Sequence, residues 1–277
     1  WVGTPKPGTS MPIILTPFIS SGRRRRGTPL AVGTQRLVTT MASYFFGSAI
    51  SWTASLISSN SFPVTKDSEL KGKVDIHSKI KQWYWASIFQ NRYSSSVEST
   101  STKDYIDLRK WFEDDNNEPD CVSEFVGTYK NIDLHKERAS GSAIYKAIFN
   151  LFIINEARDW ETFELPEYDN LDDHHIVPKS WGKEMGLDKD INTILNRAPL
   201  SGDTNRKIIR DSLPNVYIKN MFDNNDKEKV FKVLKSHLIS EKAVKILLRE
   251  NFSVDDYKEF ITERKNTIIN AIYNMVI

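Results

Sequence analysis

The sequence predicts a mostly helical α+β protein with one small strand–strand–helix unit embedded in it. Two observations carry this: apolar residues recur at three- and four-residue spacing over most of the chain, and the stretch around residues 171–195 breaks that rhythm with short extended runs. Residues 1–36 read as a basic, irregular arm, because Pro5, Pro7, Pro12, Pro17 and Pro29 interrupt any helix and Arg23, Arg24, Arg25 and Arg26 sit between glycines. Residues 37–160 read as a helical region, and residues 161–277 as the strand-containing unit with a helical cap.

No charged residue occurs between Leu37 and Thr65, and four arginines lie upstream of it. Length and flanking charge permit a membrane span over residues 37–57. Thr39, Thr40, Ser43, Ser48, Ser51, Thr53 and Ser55 argue against one, so a membrane partner is not expected and a buried helix pair is. Residues 80–93 read as a helix with Ile80, Tyr84 and Ile88 on one line and Trp85 and Phe89 beside it, a stripe for packing. A polar connector, residues 94–102, precedes a helix over 103–112 that turns Tyr105, Leu108 and Phe112 inward. Another runs over 142–155 through Ile144, Ile148, Leu151 and Phe152. Near the C-terminus Val230, Val233, Leu234 and Leu238 mark one helix. Tyr257, Phe260, Ile261, Ile268 and Ile272 mark the last, opened by Ser253 as N-cap.

The chemistry-bearing segment is Leu171-Asp172-Asp173-His174-His175-Ile176-Val177-Pro178-Lys179-Ser180, which reads as a first short strand with the paired histidines at its end, and a second strand is read over residues 191–195. A short helix follows from about Asp203, carrying Asn205, Arg206, Lys207 and Arg210, and Pro214 stops it. In a regular strand His174 and His175 face opposite ways and so have different tasks. Hydrolysis of a phosphodiester needs a base for water, which a neutral imidazole supplies, and a cation for the charge gathering on phosphate.

The run His174-His175-Ile176-Val177-Pro178, followed by Asn192 and Asn205, resembles the HNH, or ββα-metal, nuclease motif. The resemblance implies an embedded ββα-metal unit at about 165–214, with His175 as general base and Asn192 orienting it. It implies His174 and Asn205 as ligands of a divalent metal, Mg²⁺ or Mn²⁺. Seventeen positions separate His175 from Asn192 and thirteen separate Asn192 from Asn205, so Asn196 is a rival for the middle role. Asp173 is a rival for the first metal ligand if the register slips by one. A weaker likeness, over about residues 60–220, is to modification-dependent restriction nucleases of the GmrSD type. It rests on Trp83-Tyr84-Trp85, Asn91-Arg92-Tyr93, Arg158-Asp159-Trp160 and Asn205-Arg206-Lys207-Ile208. It implies a DNA endonuclease acting in phage defence by restriction of foreign or modified DNA. In that family an NTP-hydrolysing domain bears an Asp-Gly-Gln-Gln-Arg motif, which this chain lacks. An NTP-hydrolysing domain or subunit is therefore an expected partner, and one site per chain implies a homodimer for double-strand cuts. The start at Trp1 reads as a processed product or the later part of a longer polypeptide.

Lys179, Arg197, Arg206, Lys207 and Arg210 are candidates for phosphates flanking the scissile bond, with solvated surface as the plain alternative. His77, His135 and His237 read as structural. The alternative function is a nucleic-acid-binding or assembly subunit that keeps the fold without turnover. The net charge is only +2, with 38 Lys/Arg against 36 Asp/Glu, and residues 1–60 hold six basic and no acidic residues. That balance argues against nucleic-acid binding through a uniformly basic surface. Cys121 is the one cysteine, which excludes a disulfide scaffold and a four-cysteine zinc site and fits a cytoplasmic setting.

Overall fold

The computed structural model describes residues 76–167 and 171–277; the arm and the uncharged stretch over 37–57 lie outside the described residues. Helix α1 (Ile76–Phe89) starts earlier than the spacing predicts and ends at Phe89, where the chain turns through Asn91 at φ 52°. It buries Trp83, Trp85, Ala86, Ile88 and Phe89. Helix α2 (Val97–Glu113) takes in most of the supposed connector. Ser101 Oγ and Thr102 Oγ1 donate to the carbonyls of Val97 and Glu98, so hydroxyls expected to favour a loop are absorbed by the turn beneath them.

Asp104 on α2 is fully buried and holds the first helices together. Its carboxylate accepts from Trp83 Nε1 at 3.1 Å, from Tyr93 Oη at 2.5 Å, and from Arg92 Nε and Nη2 at 2.8 and 2.5 Å. Helices α3 (Asp120–Thr128) and α4 (Ala143–Ile154) follow, α4 capped by Ser142 Oγ accepting from Tyr145 N.

Strands β1 (Leu171–His175) and β2 (Arg197–Ser201) pair antiparallel, His174 opposite Ala198 and His175 opposite Arg197. The second strand is therefore not residues 191–195. Those form parts of two tight turns, Asp190–Asn192 and Ile194–Asn196, because Ile191, Ile194 and Leu195 have the spacing of one face of a helical turn and bury as such. Helix α5 (Lys179–Glu184) precedes them. After β2 comes a π-helical turn, Thr204–Ile209, closed by Arg210 N donating to Asn205 O at 2.9 Å. The turn ends at Ile209, with Arg210 at φ 54°, so Pro214 is not what stops it; Pro214 instead opens α6 (Pro214–Asn224), where its missing N–H is harmless.

Helices α7 (Lys227–Ser236), α8 (Glu241–Leu247) and α9 (Val254–Val276) complete the chain. Leu238 lies beyond α7 at φ 56°. Ser253 caps α9 through a reciprocal box with Asp256. Helix α9 packs on α1, α3, α4 and α8. One hydrophobic core runs from Trp83 to Val276, on both sides of the boundary drawn at residue 160. Among the described residues no helix is long and apolar enough to cross a membrane.

Within this core Arg264 of α9 is fully buried and donates to the carbonyls of Leu195 and His237 at 3.1 and 3.0 Å, its guanidinium over the Phe152 ring. Burial pushes it down to about 9. His237, also buried, has Nε2 against the Arg158 carbonyl at 2.7 Å, which fits its reading as structural.

Two predictions follow from this packing. Asp104→Ala leaves Arg92, Trp83 and Tyr93 without their shared acceptor and is expected to cost about 3 kcal/mol in denaturant unfolding. Burial pushes the His237 imidazole down to about 3, whereas the unfolded chain takes up the proton near the ordinary value of 6.5. Its contribution to stability is present above that value and is lost as pH falls toward about 3, so the thermal midpoint should drop on acidification. His237→Gln should show a smaller drop between neutral pH and about pH 5.

Candidate active site

The strand pleat sorts the motif into two faces. Asp172 and His174 share one; Asp173 and His175 share the other.

On the first face His174 is 3% exposed, with Nδ1 at 2.7 Å from Asn205 Oδ1. Asn205 Nδ2 donates to Asp172 Oδ2 at 3.0 Å, and Asp172 Oδ1 accepts from Arg206 Nη2 at 2.5 Å. Because a carboxylate can only accept, Asp172 turns the amide nitrogen of Asn205 toward itself and leaves the oxygen for His174. Burial pushes His174 down to about 4, against the hydrogen bond that its Nδ1 donates to Asn205 Oδ1, so the ring is neutral at physiological pH. The Trp160 and Tyr217 rings meet it edge-on, and its Nε2 is buried with no hydrogen-bond partner. For Asp172 burial raises the pKa, but the hydrogen bonds from Arg206 and Asn205 outweigh it and the net shift is down. Asp159 holds this face in place: Oδ1 accepts from Thr204 Oγ1 at 2.5 Å and Oδ2 from Ser201 N at 3.0 Å, pinning the end of β2 to the turn that bears Asn205.

On the second face His175 Nε2 lies 3.0 Å from Asn192 Oδ1. Its pKa is lowered, by burial first and then by the Arg197 cation. Asp173 is turned away from Asn205: its carboxylate takes the Tyr145 hydroxyl at 2.5 Å and Arg197 Nη1 at 3.2 Å. Of the two rivals His174 and Asp173, it is His174 that meets Asn205.

Asn192 and Asn196 divide the middle role. Asn192 touches His175, whereas Asn196 is fully buried and bonds backbone: Oδ1 accepts from Val177 N, and Nδ2 donates to the carbonyls of Val177 and Ile191, all at 2.9–3.0 Å. Its own carbonyl accepts from Ile176 N.

The remaining basic candidates are exposed, except Arg197. Lys179 lines an open cavity of about 470 Å³ with Ser180, Lys183, Asp188 and Ile191. Arg206 is paired with Asp172, Lys207 with Asp203, and Arg210 Nε donates to the Lys207 carbonyl. Asp172, Asp159 and Tyr145 were not picked out by the motif. The two-residue step from Asp172 to His174 was a signal for the first, since it sets both on one side of a strand; the other two arrive from distant segments.

Among the described residues no three His, Cys, Asp or Glu side chains gather into a metal-binding group. The donors that do adjoin are a neutral imidazole, a carboxamide oxygen and the Asp172 carboxylate. Few protein ligands, mostly oxygen, suit a hard cation that keeps several waters.

The chain is similar to an uncharacterised protein of Methanocaldococcus jannaschii, 32% identical over 228 residues, which takes in 75% of this chain. It spans 39% of that relative's length. No family model matches the chain, and no solved structure does.

The two asparagines should separate on substitution. Asn196→Ala strands a buried N–H and two carbonyls and is expected to cost about 2–4 kcal/mol in chemical denaturation. Asn192→Ala, at a half-buried position, should stay within about 1 kcal/mol of wild type.

Proposed function

We propose that the protein is a metal-dependent endonuclease of the HNH type, hydrolysing DNA phosphodiester bonds, and that its setting is cytoplasmic restriction of foreign or modified DNA. The observation that supports this best is the state of His175. Asn192 Oδ1 can only accept, so His175 Nε2 carries the ring proton and Nδ1 keeps its lone pair. The lowered pKa keeps that lone pair free at neutral pH. A half-buried imidazole of this kind is suited to take a proton from water.

In this reading Nδ1 of His175 removes a proton as the water oxygen attacks phosphorus. The bond to the 3′ oxygen breaks, and that oxygen takes a proton from solvent, leaving 5′-phosphate and 3′-hydroxyl ends. His174 and Asn205 would hold a divalent ion, Mg²⁺ or Mn²⁺, with His174 Nδ1 giving up its proton for it, and the ion would offset the negative charge that gathers on the phosphate. Asp172 keeps Asn205 oriented, and Asp159 keeps its turn against β2. Lys179, Arg206, Lys207 and Arg210 are the surface cations for flanking phosphates; the pairs that Arg206 and Lys207 now make are exposed and weak enough to exchange. A homodimer and an NTP-hydrolysing domain or subunit complete the proposal.

The test is nicking of supercoiled plasmid, modified and unmodified, by wild type and His175→Ala with Mg²⁺, Mn²⁺ or EDTA. Cutting that needs metal and falls by about 10²-fold or more in the variant is the expected result. A folded His175→Ala protein that cuts at the wild-type rate overturns the role of this residue. Unaltered DNA affinity with no cutting by wild type under any metal, even with an NTP-hydrolysing partner, favours the binding subunit.

A further inference from the structure

Arg197 was a candidate for a phosphate contact, yet its guanidinium is already committed. Its side chain is 12% exposed, and it lies directly across the ribbon from His175. Nη1 donates to the Asp173 carbonyl at 3.3 Å and faces Asp173 Oδ2 at 3.2 Å, while Nη2 donates to Asn192 Oδ1 at 3.4 Å. Nε is buried without a partner. Asp173 in turn is held by the Tyr145 hydroxyl of α4.

We propose that Arg197 is a positioning residue that sets the tautomer of His175 through the Asn192 carboxamide. The inference rests on the reading of His175 as general base. A carboxamide has two nearly isosteric ends, and which end faces His175 decides where the ring proton sits. If the NH₂ faces Nε2, that nitrogen must accept and the proton moves to Nδ1, which abolishes the base. Guanidinium has donors only, so Arg197 rejects the NH₂ end and demands the oxygen. The opposite end is checked as well, since Asn192 Nδ2 points to the Asp188 carbonyl at 3.4 Å. Both contacts are long, so neither alone holds the amide firmly. The chain Tyr145, Asp173, Arg197, Asn192 thus carries orientation from α4 to His175, and no group in it needs to touch substrate.

The experiment reads the tautomer itself. Two-bond nitrogen–proton NMR correlations on protein with isotope-labelled histidine, recorded well above an imidazole pKa of about 6.5, distinguish protonated from bare ring nitrogens. The His175 signals are assigned by their loss in His175→Gln. Wild type should show a single form with the proton on Nε2. Arg197→Met, checked for folding by its melt, should show a second form with the proton on Nδ1. Arg197→Lys, which keeps the charge beside Asp173 but loses the fork that reaches Asn192, should show it too and serves if the methionine variant does not fold. Adding Asn192→Asp to Arg197→Met should restore the single form, because a carboxylate has no donor end to present; a merely structural role for Arg197 gives no such rescue. An unchanged tautomer in both Arg197 variants, or a proton on Nδ1 in wild type, overturns the proposal. The readout does not depend on cleavage, so a protein that cuts nothing yet shows this redistribution refutes the nuclease and leaves the role of Arg197 standing.

Discussion

The carboxamide of Asn196 sits where the segment leaving β1 and the segment entering β2 meet. With no access to water, it bonds to Val177 on both its N–H and its carbonyl and to the Ile191 carbonyl, and its backbone oxygen takes Ile176 N–H. Three of those four bonds cross between the two segments and hold them in register just past His175, where the ladder itself has ended, and the fourth folds the turn before β2. A two-stranded ribbon is marginal in water and needs such a clamp together with packing from helices. The alternation that gives His174 one set of neighbours and His175 another depends on that register, because a slip of one residue would exchange the two faces.

Each histidine meets an asparagine, and a charged side chain decides which end of each amide it meets. On one face Asp172 takes the NH₂ of Asn205; on the other Arg197 takes the oxygen of Asn192. The two histidines also have different depths. His174 lies against Trp160 and Tyr217, and burial is the chief reason it stays neutral; His175 is half-buried, and after burial the Arg197 cation across the ribbon is the next largest cause. Beside the Asn205 oxygen His174 Nδ1 carries the ring proton, as His175 Nε2 does beside the Asn192 oxygen, so a cation between His174 and Asn205 would have to displace that proton.

Much of the helical fold was readable because burial repeats with the helical period: the stripes on α4, α7 and α9 and the Ser253 cap are local properties of their own segments. β1 and its two histidines were readable because that segment breaks the helical period and leads into Pro178. β2 was not, because Ile191, Ile194 and Leu195 are apolar enough to pass for a strand, while the true strand contains Pro199, a residue that normally demotes one. The connector before α2 misled in the other direction, through hydroxyls that bond back onto their own helix. The burial of Asp104, Asp159 and Arg264 was opaque, although Asp159 stands in the Arg158-Asp159-Trp160 step that carries the weaker likeness. Each is a charged residue whose burial is decided by partners outside its own element, from 11 to 69 positions away, and no local pattern of sequence shows that.

The way Arg264 is used bears on how such a motif can travel between proteins. The cation on α9 holds the Leu195 carbonyl, one residue ahead of Asn196, while Tyr257 of the same helix holds the Asp190 carbonyl and Tyr217 of α6 holds that of Ile176. The ribbon and its turns therefore borrow donors from residues up to 69 positions downstream. Excised at its apparent edges, the unit would expose those carbonyls and lose its floor. Recombination between genes, or grafting in the laboratory, has to move the ribbon and the helices beneath it as one inheritance.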